Sequence, residues 1–198
     1  MTEKQVSKRI SWSLLSMLAL SLGPLMLAVY LFQNPESLSG RTNYGHLIQP
    51  SIPIKRSVFS GFDEFSKQNI REIRGHWVLI HIVTSSGCNR ACMDSLHKTK
   101  QVRLMLNKDL MRVRRLAVVA VSNNGAGEWW TGHDYLLRSN PTEQLINVAR
   151  TAVGGPLPEG VVFLMDPMGN IMMWYEPDFD PYGMNKDLKK LLYVSQVG

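Results

Sequence analysis

The sequence predicts an α/β domain built on a mixed sheet and preceded by one transmembrane helix. Three observations carry that expectation. An uncharged run, most of it apolar, separates Arg9 from Glu36. Two continuous apolar stretches, His76 to Val83 and Leu116 to Ser122, flank a segment with helical spacing. Finally, Gly160 to Glu176 places two apolar segments on either side of Asp166-Pro167-Met168-Gly169.

The first run spans a membrane by length: a helix needs about 20 apolar residues to cross roughly 30 Å of hydrocarbon. Gly23 and Pro24 interrupt it, as membrane helices tolerate. A cleaved signal would close on small residues, whereas Ala28-Val29-Tyr30-Leu31-Phe32 is bulky, so an uncleaved anchor over residues 10–32 is expected. Lys4, Lys8 and Arg9 precede the span, and only Arg41 follows within about ten residues. That asymmetry puts residues 1–9 in the cytoplasm and residues 33–198 outside it. Trp12 and Tyr30 fall near the two ends, where interfacial aromatics belong.

Residues 33–57, with Pro35, Pro50 and Pro53, form an extended lead-in to a domain over residues 58–198. Phe62 to Ile73 is short and amphipathic. In His76 to Val83 both alternating faces are apolar, the pattern of a strand buried on two sides and paired in parallel. Cys88 to about Leu110 is expected to be helical, with Leu96, Val102, Leu106 and Leu110 on one side. Leu116 to Ser122 is a second buried strand, and a loop with Gly125, Gly127 and Gly132 follows. Asn140-Pro141-Thr142 opens a helix through Arg150, with proline in its first turn and Glu143 near the positive dipole end. Gly154-Gly155 stops it. Gly160 to Glu176 is a β-hairpin, and Lys186 to Val194 a short amphipathic helix. The order of strands and helices gives the mixed sheet.

The formal net charge is +6. Much of it comes from Arg103, Lys108, Arg112, Arg114 and Arg115, which alternate with apolar positions as on a solvated helix face. No aromatic-interleaved basic stripe accompanies them, so nucleic acid is not an expected partner, while anionic lipid or an acidic partner stays open.

The chain has two cysteines, Cys88 and Cys92, just past a buried strand and at the start of a helix. Open α/β sheets place their working sites there. Backbone N–H donors and the positive dipole end favour the thiolate of Cys88, the thiol that precedes the helix. The pair can close as a disulfide or hold a soft ion from one side. A bridge closing so small a ring adds little loop entropy, which favours chemistry over a structural staple. Zinc would need two more ligands, and His97 is the only one nearby.

The pattern RGHWVLIHIVTSSGCNRAC, then a helix, LAVVAVS, and VVFLMDPMGNI before a C-terminal helix resembles the thioredoxin-like superfamily. Within it, the spacing Cys88-Asn89-Arg90-Ala91-Cys92 and the single anchor resemble the Sco/SenC family of cytochrome c oxidase assembly proteins. Asn43-Tyr44-Gly45-His46-Leu47-Ile48 and the tail are similar to Sco-like membrane proteins of bacterial oxidase gene clusters. The resemblance implies a thioredoxin-like fold, a bacterial inner-membrane anchor and a periplasmic domain. It also implies Cu(I) held by Cys88 and Cys92, and a partner that is an oxidase subunit or another extracytoplasmic thiol protein.

Two departures matter. Asn89, Arg90 and Ala91 lack the proline common between the family's cysteines, and Gly155-Pro156-Leu157-Pro158-Glu159-Gly160 lacks the histidine that completes its copper site. His133 is the substitute best placed to swing toward the sulfurs, although a solvated loop histidine is the plainer reading. His81 reads as a hydrogen-bonded core residue whose ring could influence Cys88, while His46 and His76 carry no signal. Of the 11 methionines, Met105, Met165 and Met172 sit at core positions, and Met93 adjoins Cys92. Pro158 stands where thioredoxin-like domains often carry a cis-proline, which would favour redox chemistry over metal transfer. Three functions remain: an oxidase assembly factor working by dithiol chemistry and Cu(I) handling, a general thiol–disulfide oxidoreductase, and a scaffold with a structural bridge.

Overall fold

The computed structural model describes residues 12–34, 43–83, 87–120 and 129–195. It divides into two units, Met1–Thr42 and Asn43–Gly198. The first contains α1 (Trp12–Gln33), which runs through Pro24. Its segment Leu15–Gln33 has a mean hydropathy of 2.0, and among the described residues it alone is long and apolar enough to cross a membrane. Residues 10 and 11 of the expected span lie outside the described ones. Ser16 and Ser21 turn their hydroxyls back to the carbonyls of Ser13 and Leu18, at 2.9 and 3.0 Å, which satisfies both donors within the helix.

In the second unit the strands are β1 (His46–Pro53), β2 (Trp77–Val83), β3 (Val113–Val119), β4 (Leu136–Ser139), β5 (Val162–Met165) and β6 (Asn170–Tyr175). They form one sheet in the order β1-β6-β5-β2-β3-β4. β2, β3 and β4 are parallel, whereas β5, β6 and β1 pair antiparallel. The helices are α2 (Glu64–Asn69), α3 (Arg90–Met105), α4 (Glu143–Val153) and α5 (Pro181–Val194). This is the mixed sheet flanked by helices that the sequence predicts, with β2 at its centre and every residue of β2 buried.

Period-2 alternation sorts β2 between two cores. Val78, Ile80 and Ile82 pack with Leu116, Val118, Phe163 and the α4 residues Leu145 and Ala149. Trp77 and Leu79 pack with Val102 of α3 and with Met184 and Leu188 of α5. Cys92, Leu96, Ala117 and Val83 form a third, smaller cluster. Each of α2 to α5 starts on a side-chain cap: Asp63 accepts from Ser66 N–H, Asn89 from Cys92, Thr142 from Leu145, and Asp180 from Tyr182 and Gly183. Gly154, at φ 79°, ends α4 in the left-handed conformation glycine favours. The hairpin turn is held by Asp166, whose Oδ1 accepts from the N–H groups of Met168, Gly169 and Asn170.

Several expectations need correction. Arg114 and Arg115 do not lie on a solvated helix face: α3 ends at Met105, a 3-10 helix covers Asn107–Arg112, and both arginines belong to β3. Arg115 is 3% exposed. Pro141 precedes the Thr142 cap instead of entering the first turn. The C-terminal helix begins at Pro181, five residues before Lys186. His46–Pro53, inside the expected lead-in, is an edge strand on β6, and β4 follows the glycine loop where no strand was expected. Among the described residues the cis peptide bond is Gln49–Pro50, so Pro158 is trans. Gly125 and Gly127 lie outside the described residues.

Candidate functional site

Asn89 caps α3 by accepting the Cys92 N–H at 3.0 Å, so its neighbour Cys88 stands just ahead of the helix and Cys92 in its first turn. The two sulfurs are joined as a disulfide with a Cα–Cα distance of 5.2 Å. Cys92 is 2% exposed and packs on Val83, Leu96 and Ala117, whereas Cys88 is half-buried and, like Trp129 and Trp130, packs on the edge of that cluster. The outer sulfur is therefore the one a partner can reach, and the inner one is shielded.

Beneath α3 lies a buried polar network. Arg115 donates from Nε to Thr99 Oγ1 at 3.1 Å and from Nη2 to the Leu96 carbonyl at 2.6 Å. Thr99 donates its hydroxyl to the same carbonyl, at 3.1 Å, and lies 2.9 Å from His81 Nε2. With its single proton used, Oγ1 accepts from both Arg115 and His81, which fixes the neutral imidazole as the Nε2–H tautomer. Burial holds the His81 pKa well below its ordinary value, and the charges of Arg115 and His133 push the same way. Burial and then Arg103 bring Arg115 down to about 9, still charged at neutral pH.

His133 approaches Arg115 at 3.5 Å. Burial, followed by Arg115, Lys100 and His97, lowers its pKa to about 4, against the opposing pull of Asp134. His81 is thus a hydrogen-bonded core residue. His97 is exposed and paired with Gln101. His46 stacks on Trp174 and bonds Glu176, and His76 bonds the Arg74 carbonyl. Met165 is buried, and Met105 and Met172 pack half-buried against the α3–α5 core. Met93 is exposed. Among the described residues no three His, Cys, Asp or Glu side chains converge on a metal position, so none of these histidines is grouped with the two sulfurs.

The segment before β5 nonetheless touches the cysteine helix. Ser95 Oγ donates to the Gly160 carbonyl at 2.6 Å. A Cβ at Gly160, which has φ +88°, would sit 2.8 Å from the Ala91 carbonyl oxygen. On the other flank a cleft of about 960 Å³ runs along Asn89, Arg90 and Ala91, with Met93, His97 and Asp178 on its walls. Lys98 bridges Asp94 and Asp178 there, tying α3 to the loop ahead of α5.

Sequence reasoning missed Gly160 against the first turn of α3, the two tryptophans on the Cys92 cluster, and Arg115 and Thr99 beneath α3. A signal for Arg115 was present: extending the apolar run back by one residue from Leu116 reaches it, and period 2 places it on the face of Ala117.

The family model for a transmembrane-like, thioredoxin-like, C-terminal domain matches residues 77–195, more than half of the chain. Among solved structures, apo Sco1 from Thermus thermophilus is similar with a TM-score of 0.54 and 18% identity, over 77% of this chain and 99% of that one. BsSco, in which a disulfide switch was identified, is a member of the Sco family of cytochrome c oxidase assembly proteins. It matches with a TM-score of 0.51 and 12% identity, over 74% of this chain and 96% of that one. Copper-bound yeast Sco1 matches with a TM-score of 0.48 and 16% identity, over 63% and 80%. No curated protein sequence matches.

Proposed function

This chain belongs to the family of transmembrane-like, thioredoxin-like C-terminal domains, and from that premise we propose that it is a membrane-anchored assembly factor for cytochrome c oxidase acting by dithiol/disulfide exchange. The observation that carries the reading is the asymmetry of the pair: Cys88 accessible ahead of α3, Cys92 buried in its first turn. In the dithiol form the Cys88 thiolate attacks a disulfide of the partner and displaces one of its thiolates. Cys92 then attacks Cys88 Sγ, releases the partner as a dithiol and closes the Cys88–Cys92 bridge. Two electrons pass to the partner, and an extracytoplasmic dithiol reductant restores the pair. The similarity in fold to BsSco supports an oxidase subunit with paired cysteines as that partner.

Cu(I) enters as cargo. Two thiolates suit it, and among the described residues no His, Asp or Glu joins the pair as a third donor. This favours transient over tight holding. The Lys and Arg asymmetry around α1 supports a cytoplasmic N-terminus and a periplasmic domain in a bacterial inner membrane.

A Cys92→Ser variant should accumulate mixed disulfides through Cys88, resolved on non-reducing gels and identified by mass spectrometry. Trapping by Cys88→Ser instead would reverse the roles, and trapping by neither would make the bridge structural. For the orientation, a periplasm-dependent reporter fused after Gly198 should be active; activity only of a cytoplasm-dependent reporter would refute it.

A further inference from the structure

The cationic cluster that the sequence leaves as a surface charge run lines a cleft of about 540 Å³ at the far end of α3 from the cysteines. Lys100, Arg103, Arg114 and Arg115 face it, against Glu72 and Asp134. Glu72 is already taken by Arg114, at 2.8 Å. Among the described residues Lys100, Arg103 and Arg115 have no carboxylate within ion-pair distance: Lys100 Nζ donates to the Gly132 carbonyl, Arg103 Nε to that of Val113, and Arg115 to Thr99 and Leu96. Arg115 is 3% exposed, and a cation so buried without a counter-ion is costly unless something anionic meets it. Crowding adds to that cost, because Arg103 bears on Arg115 and Arg114 on Arg103.

The remaining wall is apolar and unusually bare. Leu104 is 57% exposed, Met111 62% and Tyr135 71%, and all three line this one cleft. Charge therefore lies deep, at Arg115, and grease lies at the mouth. A bare phosphate would leave the apolar wall wet, and a neutral apolar ligand would leave the buried guanidinium uncompensated. A bilayer surface fits poorly as well, because its lipids present the headgroup outward while their tails stay in the membrane.

We propose that this cleft binds a small, single-chain anionic amphiphile, its carboxylate or phosphate lodged between Arg115, Arg103 and Lys100 and its apolar body lying on Leu104, Met111 and Tyr135. The site is separate from the cysteine pair, and the proposal is independent of the thiol chemistry.

The test uses the full chain in nanodiscs of zwitterionic phosphatidylcholine, with empty discs as the blank. Octanoate, octanol, acetate and inorganic phosphate are titrated by calorimetry. Octanoate should bind at least about tenfold more tightly than any of the other three, because only it satisfies both walls. The double variant Lys100→Gln/Arg103→Gln should weaken octanoate about tenfold, with the fold verified by circular dichroism. Tyr135→Ser should weaken octanoate and leave acetate unchanged. Octanol equal to octanoate would overturn the proposal in favour of nonspecific greasy contact. Acetate or phosphate equal to octanoate would overturn it in favour of a bare anion site. Octanoate binding undiminished in both variants would place the ligand elsewhere and overturn it too. Binding of phosphatidylglycerol vesicles or of an acidic peptide that octanoate fails to displace would likewise overturn it.

Discussion

The two halves of the sheet are built from different materials. The antiparallel half, β5 with β6 and β1, packs Phe163, Leu164, Met165, Ile171 and Met173 into apolar cores. The parallel half, β2 with β3 and β4, buries His81, Arg115 and Ser139 among its apolar residues. The hairpin half resembles an ordinary small-protein core, in which stability follows area removed from water. The parallel half adds a network fixed by direction across β2, β3 and α3, whereas the directional contact of the hairpin half is that of the Tyr175 hydroxyl with Asp187. The cysteine helix lies over the second kind. The cysteine helix is thus held from below by a hydrogen-bonded network further along its length, at Leu96 and Thr99, while the pair itself rests on the apolar cluster of Val83, Leu96 and Ala117.

The largest effect expected tests the apolar half. Phe163 is fully buried, and Phe163→Ala should lower the unfolding free energy of the Asn43–Gly198 unit by about 3–5 kcal/mol in urea titrations. The rate of Cys88 alkylation in the reduced, folded protein should not change. A loss under about 1 kcal/mol would mean that this half is not close-packed.

The intermediate effect belongs to the polar half. His81 and His133 both have pKa values lowered by folding, His133 from 6.5 to about 4. Above the unfolded value both states are neutral and stability is fully present. As pH falls from about 6.5 toward 4 the unfolded chain takes up protons that the folded chain refuses, so stability is lost across that window. Urea midpoints measured at intervals between pH 7.5 and about 4 should decline steadily, and His133→Ala should flatten part of the slope. A midpoint constant over that range would break the comparison.

The smallest effect sharpens it. In competition titrations with a Cu(I) chelator, the reduced unit should bind through both cysteines more weakly than a Cys₂His site. His81→Ala, His97→Ala, His133→Ala and Met93→Ala should each shift affinity by less than about threefold. Tight binding lost in one histidine variant would identify a third ligand and restore dedicated copper delivery.

What the sequence revealed follows the same division. β2 and the hairpin were legible because both are long apolar runs bounded by turn chemistry, and Asp166 marks its turn by accepting three backbone donors. β1 was not, since an edge strand carrying Pro50 and Pro53, with five exposed positions in eight, shows no buried alternation. β4 is four residues long with Arg138 in its middle, too short to establish a period. The cysteine pair was legible from its strand–helix setting, but its surroundings were not. Arg115 and Thr99 are polar, and only tertiary packing of α3 over β3 distinguishes a fully buried arginine from the half-buried Arg112 and Arg114 beside it in sequence.

Contact between Gly160 and the first turn of α3 restricts how this site can be redesigned. Main chain meets main chain at Ala91, and the positive φ at Gly160 excludes an unstrained side chain even if space were made. An engineer wishing to alter the surroundings of the sulfurs from that side has no handle at position 160 itself. The usable neighbour is Glu159, whose side chain leaves a backbone that Ser95 already clamps to the helix, because Val161 is fully buried in the core that includes Leu145 and Ala149 of α4. A donor grafted at position 159 would start from a fixed anchor point instead of a loose loop, so its reach toward the cysteines would depend on the length of its side chain.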